Sequence, residues 1–69
     1  MLKPIKILYA GAIPMLDDWR EAVRIAKDET CVVEVRWCPH IMAGWYHDYV
    51  FADSDPAELD DKTPKVYGI

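Results

Sequence analysis

The cysteines and histidines of this chain lie close together in the sequence, at Cys31, Cys38, His40 and His47. Thiolate and imidazole groups are preferred zinc ligands, and a tetrahedral site takes four of them. Their spacing is poor for zinc, because neither a Cys-x-x-Cys nor a His-x-x-x-His pair occurs. Cys38 and His40 supply a thiol and a base, but the proline between them does not direct the two side chains together. We therefore expect no cofactor and no enzymatic activity, and a small zinc- or thiol-dependent protein remains the lesser alternative.

Acidic residues are concentrated in the second half of the 69-residue chain. Residues 1–36 carry six basic and six acidic side chains, whereas residues 37–69 carry two lysines and six acids, which gives the net charge of −4. Clustered Lys and Arg are what phosphate backbones bind, so we expect no direct nucleic-acid binding. An acidic segment is suited to a basic protein surface. Its candidate binding residues are Asp53, Asp55, Asp60 and Asp61.

A second candidate surface is the uncharged stretch from Trp37 to His47. Its part from Cys38 to Gly44 contains Pro39 as well as the glycine, which predicts a loop. An apolar loop is costly to leave in water unless it packs or binds, so it either contacts a partner or folds back to enlarge the core. Tyrosines nearby offer large contact area with free hydroxyl groups. The candidate contact residues here are Ile41, Met42, Tyr46 and Tyr49.

The elements that must position these residues follow from periodicity and capping signals. Alternation of apolar side chains predicts strands at about 4–10, 31–37 and 45–52. Apolar residues at helical spacing predict a helix over about 17–28, with Asp17 and Asp18 at its start. Asp55 before Pro56 predicts a short capped turn over about 56–60. The C-terminal residues 65–69 are predicted as an extended tail or a short edge strand.

One α+β domain over residues 1–69 uses all these elements: strand, helix, strand, strand, with one helix packed on a mostly antiparallel sheet of three to four strands. On the third strand, Asp48 marks the even-numbered face as the wetter one and turns His47 inward. The predicted core consists of Ile5, Ile7, Trp19, Val23, Val33, Val35 and Trp37.

These features predict a small acidic module that docks on another protein through its apolar loop and acidic segment. In size and layout the chain resembles the small acidic inhibitors that phages and mobile elements encode, and the resemblance is one of architecture alone. The other function class is a structural or accessory domain that associates with itself as a homodimer. The chain is too apolar to be disordered, and its longest uncharged stretch is about half a membrane span. With no secretory signal recognisable, we expect a cytoplasmic protein.

Overall fold

The computed structural model describes residues 3–42 and 44–65. Strand β1 (Ile5–Tyr9) is followed by helix α1 (Leu16–Glu29), strands β2 (Val32–Trp37) and β3 (Tyr46–Val50), and helix α2 (Pro56–Lys62). The chain forms a three-stranded sheet in the order β1-β2-β3. Helix α1 packs over β2 and β3, and α2 packs against α1, so both helices lie on the same face of the sheet. A small α+β fold is confirmed.

The sheet is mixed, whereas the sequence predicts a mostly antiparallel one. β1 pairs with β2 in parallel, with Ile5 opposite Val32, because α1 carries the chain back to the end at which β1 began. β2 pairs with β3 in the antiparallel sense, with Val33 opposite Val50. Three strands are found in the described part of the chain, and most of the predicted C-terminal tail, residues 66–69, lies outside it.

Helix α1 begins one residue before its predicted start. Met15 is the N-cap, and the Asp18 carboxylate accepts a hydrogen bond from the Met15 backbone N–H at 2.7 Å, so the acid caps the helix from inside its first turn. Asp17 is not the N-cap. The helix ends at Glu29, and its C-cap Thr30 adopts the left-handed conformation at φ 50°. Neither α1 nor α2, the helices among the described residues, is long and apolar enough to cross a membrane.

The core lies between β2, β3 and the helices. Val33, Val35 and Val50 are fully buried in the sheet, and Trp19 is fully buried in α1. The ring of Trp19 meets Trp37 edge-on at 5.9 Å, a favourable arrangement of two aromatic quadrupoles. The remaining members of the buried apolar cluster are Ala22, Val23, Ile25, Ala26, Cys31 and Leu59.

Strands β1 and β3 turn their faces opposite to the prediction. Ile5 and Ile7, predicted as core, are 60% and 42% exposed, and Leu8 packs against the core instead. On β3 the even-numbered Val50 is fully buried, while His47 is exposed rather than inward-facing. The reason is that helices cover only the face to which Leu8 and Val50 point, so the apolar odd-numbered side chains of both strands lie on the opposite, open face.

Replacing Val35 with alanine tests the position of the core. We expect a loss of about 1–3 kcal/mol in the free energy of unfolding, because the substitution leaves a cavity in a packed interior. Val35 is fully buried, whereas Ile5 is mostly exposed, so the matched control Ile5→Ala should cost far less. Urea unfolding followed by tryptophan fluorescence measures both, and equal losses would contradict this assignment of faces.

Candidate functional site

The acidic segment wraps around the outer edge of β3 and forms a groove between β3 and α2. We call it the acidic groove; it is an open hollow of about 470 Å³. It is lined by carboxylates and by two exposed aromatic residues, Tyr49 and Phe51. Tyr49 lies at the edge shared with the open face, where its ring is 5.7 Å from that of His47. The carboxylates belong to Asp48, Asp53, Asp55 and Glu58.

Local hydrogen bonds hold the groove in shape. The Asp48 carboxylate accepts from the Tyr49 N–H at 2.8 Å, and the Ser54 hydroxyl accepts from the Phe51 N–H at 2.9 Å. Asp55 is the N-cap of α2 and accepts from the Ala57 N–H at 3.0 Å, as its position before Pro56 predicts. These contacts fix the turn between β3 and α2.

The carboxylates of the acidic groove differ from three carboxylates of α1 in making no ion pair with a basic side chain of the described residues. Among residues 3–42 and 44–65, none of the four groove carboxylates makes an ion pair. On α1, by contrast, Arg24 pairs with both Glu21 and Asp28, and its hydrogen bond lowers the pKa of Glu21. Asp17, Glu21 and Asp28 of α1 therefore each have an arginine partner, which the groove carboxylates lack among the described residues.

The structure does not bring all the predicted acidic binding residues together. Tyr49, Asp53 and Asp55 meet at the acidic groove, whereas Asp60 is bound to Lys65 at 2.6 Å. Asp61 is exposed on α2 and does not line the groove. Asp48, Phe51 and Glu58 were missed by sequence reasoning. Asp48 was predicted to mark the solvent-facing side of β3, whereas it lies opposite Val35 on the side that the helices cover.

The apolar loop lies at the opposite end of β3 from the groove, since the loop precedes Tyr46 and the groove is formed by the end of β3 and the residues after it. Ile41 and Met42 are 88% and 85% exposed, so the loop does not fold back onto the core. Tyr46 behaves differently, because its ring stacks on Trp37 at 5.9 Å. The loop and the acidic groove are thus two separate surfaces.

The open face of the sheet is a third exposed surface, made by β1, β2 and β3 on the side without helices. Tyr9 and Trp45 meet edge-on at 6.0 Å there. Arg36 lies between Tyr9 and His47 in the strand register. Its neighbour on this face, Glu34, is buried and accepts a hydrogen bond from Arg36 at 3.1 Å. That hydrogen bond raises the pKa of Arg36 and leaves the centre of the face electrically balanced.

The four cysteine and histidine residues are not brought together. Cys31 is buried, with its Sγ 3.9 Å from the Ile25 carbonyl oxygen, and His47 is on the open face. The Cys38 thiol donates to the carbonyl of His40, whose Nδ1 accepts from a backbone N–H, so thiol and imidazole do not pair. Within the described ranges, no three His, Cys, Asp or Glu side chains are placed to hold a metal ion.

Two of the predicted contact residues are expected to respond differently to truncation. Met42→Ala should leave the free energy of unfolding nearly unchanged, because the side chain is exposed. Tyr46→Ala should cost about 1 kcal/mol or more, because it removes a stacked aromatic contact. Thermal unfolding measures both variants, and a large loss in Met42→Ala would show that the loop packs on the core.

Asp55 has a structural role that can be separated from its charge. Asp55→Ala should destabilise the chain by about 1 kcal/mol through loss of the helix N-cap, whereas Asp55→Asn retains a capping oxygen and should be nearly neutral. Chemical denaturation of the two variants tests this. Equal stability of the alanine and asparagine variants would show that the cap contributes nothing.

Two surfaces, the acidic groove and the open face, thus present charged and aromatic side chains that lie outside the core. The groove presents uncompensated carboxylates beside aromatic rings, and the open face presents aromatic side chains around a balanced ion pair. Comparisons with protein-family models, with curated proteins and with solved structures find no match to this chain.

Proposed function

We propose that this chain is a small protein-binding module that docks on a basic surface of another protein by seating an arginine or lysine side chain in the acidic groove. The observation that carries the proposal is the uncompensated charge of the four groove carboxylates, set against the arginine-paired carboxylates on α1. Lys62 is the cation that lines the groove in the described part of the chain, and it leaves an excess of negative charge there.

The aromatic wall of the groove adds specificity to this charge. Tyr49 and Phe51 are 42% and 48% exposed, so their rings are available to a ligand. A guanidinium group stacks on aromatic faces and binds carboxylates with its planar fork, and its methylene stem packs on apolar surface. Arginine therefore fits the groove better than lysine does.

Binding of this kind covers a basic surface of the partner, and inhibition is its expected consequence. An inhibitory role of the kind found among small acidic proteins of phages and mobile elements is consistent with the charge and size of the chain. Cys31 and Cys38 are free thiols, which suits action in the reducing cytoplasm. The exposed Ile41 and Met42 stay predicted contact residues for a second patch on the same partner.

Titration with a hexa-arginine peptide, followed by backbone amide NMR shifts, tests the proposal. The amides of Tyr49, Phe51 and Asp53 should shift most, and a hexa-lysine peptide should bind more weakly. Shifts spread evenly over the surface, or centred on α1, would overturn it, because they would show attraction to net charge alone.

A variant without the groove carboxylates distinguishes binding by these groups from attraction to the net charge of the chain. The triple variant Asp53→Asn, Asp55→Asn, Glu58→Gln should lower the affinity for hexa-arginine at least about tenfold at low salt and weaken its salt dependence. Asparagine at 55 retains the cap of α2. Isothermal titration calorimetry at two salt concentrations measures both effects.

The matched control removes the same number of charges from α1, in the variant Asp17→Asn, Glu21→Gln, Asp28→Asn. Those acids are exposed and paired with arginines. The affinity for hexa-arginine should therefore stay within about twofold of the parent value. If both triple variants weaken binding equally, the groove is not the site.

A further inference from the structure

Strand β1 is an outer edge of the sheet with exposed apolar side chains. It has β2 on one side, and no other strand of the described residues pairs with it. Ile5, Ile7 and Tyr9 are 60%, 42% and 62% exposed on the open face. Helix α1 packs over β2 and β3, which leaves β1 projecting at the side of the molecule.

The backbone of β1 is oriented to accept another strand. The Val32 N–H donates to the Pro4 carbonyl, and the Ala10 N–H donates to the Arg36 carbonyl, each at 2.9 Å. Because backbone groups alternate along a strand, the even-numbered residues of β1 bond to β2 and the odd-numbered ones point outward. The N–H and C=O groups of Ile5, Ile7 and Tyr9 therefore face the outer edge.

The opposite edge of the sheet is protected in a way that β1 is not. At β3, the N–H groups of Tyr49 and Phe51 are bonded to the side chains of Asp48 and Ser54. Edge strands are commonly blunted by such local contacts and by charge. On β1 the one charged side chain, Lys6, is held by Glu29 at 2.9 Å and is neutralised.

We propose that β1 pairs with β1 of a second copy of this chain, in the antiparallel sense about a two-fold axis. A strand edge is self-complementary in this arrangement, and a two-fold interface closes without forming fibres. Centring the axis on Ile7 places Ile7 opposite Ile7 of the second copy and Ile5 opposite Tyr9. The two three-stranded sheets then join into one of six strands.

Charge favours a second copy at this edge. The acidic groove, which carries the uncompensated negative charge of each chain, lies at the β3 edge. Pairing through β1 places the two grooves at opposite ends of the joined sheet, where their repulsion is weakest. Both grooves stay open to a basic partner, so this inference is independent of the proposed binding function.

Side chains add to the backbone hydrogen bonds of the joined edge. Cross-strand pairs of an aromatic and a β-branched residue are favourable, and Tyr9 opposite Ile5 of the second copy forms one on each side of the axis. The area buried by two five-residue strands is smaller than in a typical stable interface, so the dimer is expected to be weak.

Sedimentation equilibrium over protein concentrations from about 10 µM to 1 mM, a range chosen for weak interfaces, tests the pairing. We expect a monomer–dimer equilibrium, with amide hydrogen exchange at Ile5, Ile7 and Tyr9 slowing as concentration rises. A monomer over the whole range would overturn the proposal. Dimerisation without slowed exchange at these three amides would overturn it too, because it would place the interface elsewhere.

Two substitutions at the axis should block pairing without breaking β1 away from β2. Ile7→Pro removes an outward N–H and no hydrogen bond to β2. Ile7→Lys places two like charges opposite each other across the two-fold axis, which opposes pairing. Within one chain the new lysine lies beside Glu34 of β2, so the pairing of β1 with β2 is retained. Each should raise the dimer dissociation constant at least about tenfold.

The matched control is Ile41→Lys, which adds the same charge at an exposed isoleucine of the apolar loop. Its dimer dissociation constant should stay within about twofold of the parent value, since the loop is outside the paired strands. If Ile7→Lys and Ile41→Lys weaken the dimer equally, pairing through β1 is wrong. Circular dichroism confirms folding, and the lysine variant decides the question if the proline variant does not fold.

Discussion

The burial of β2 between its neighbouring strands and beneath α1 is the constraint on which the rest of the structure depends. Val33 and Val35 lie at the centre of the sheet and are fully buried, and the small side chains of Ala22 and Ala26 are buried in the helix above them. A chain of this length has apolar side chains and helices enough to cover one face of a sheet. Side chains on the other face are therefore exposed to water unless another molecule covers them.

Charge is distributed differently over α1, the acidic groove and the open face. Three acids of α1 pair with arginines three or four residues away in the same helix, as is typical of a solvated helix surface. The carboxylates beside β3 make no ion pair within residues 3–42 and 44–65, and Lys62 is the cation that lines the groove with them. On the open face, Glu34 is buried by its neighbours and balanced by Arg36, so a charged residue is accommodated there without adding net charge.

Helical periodicity and the N-cap of α2 were predicted correctly from the sequence, because both depend on residues close in the chain. The N-cap of α1 was predicted wrongly, since it is Met15 and not Asp17. Asp55 before Pro56 specifies where α2 begins, and the stripe from Trp19 to Ala26 specifies the buried side of α1. The alternation of Val33, Val35 and Trp37 identified the buried side of β2 as well. For the candidate site, the acidic segment was found, but its division between the groove and the Asp60–Lys65 pair was not.

The sequence by itself determined the elements, their order, the α+β class and the asymmetry of charge, since these follow from composition and local spacing. The tertiary structure alone decided which side of β1 and β3 is covered. Alternation predicts two faces for a strand, but the face that becomes buried depends on where the helices pack. In β1 both faces carry apolar residues, and α1 lies over β2 and β3, so Leu8 packs against the core and Ile5, Ile7 and Tyr9 lie on the open face.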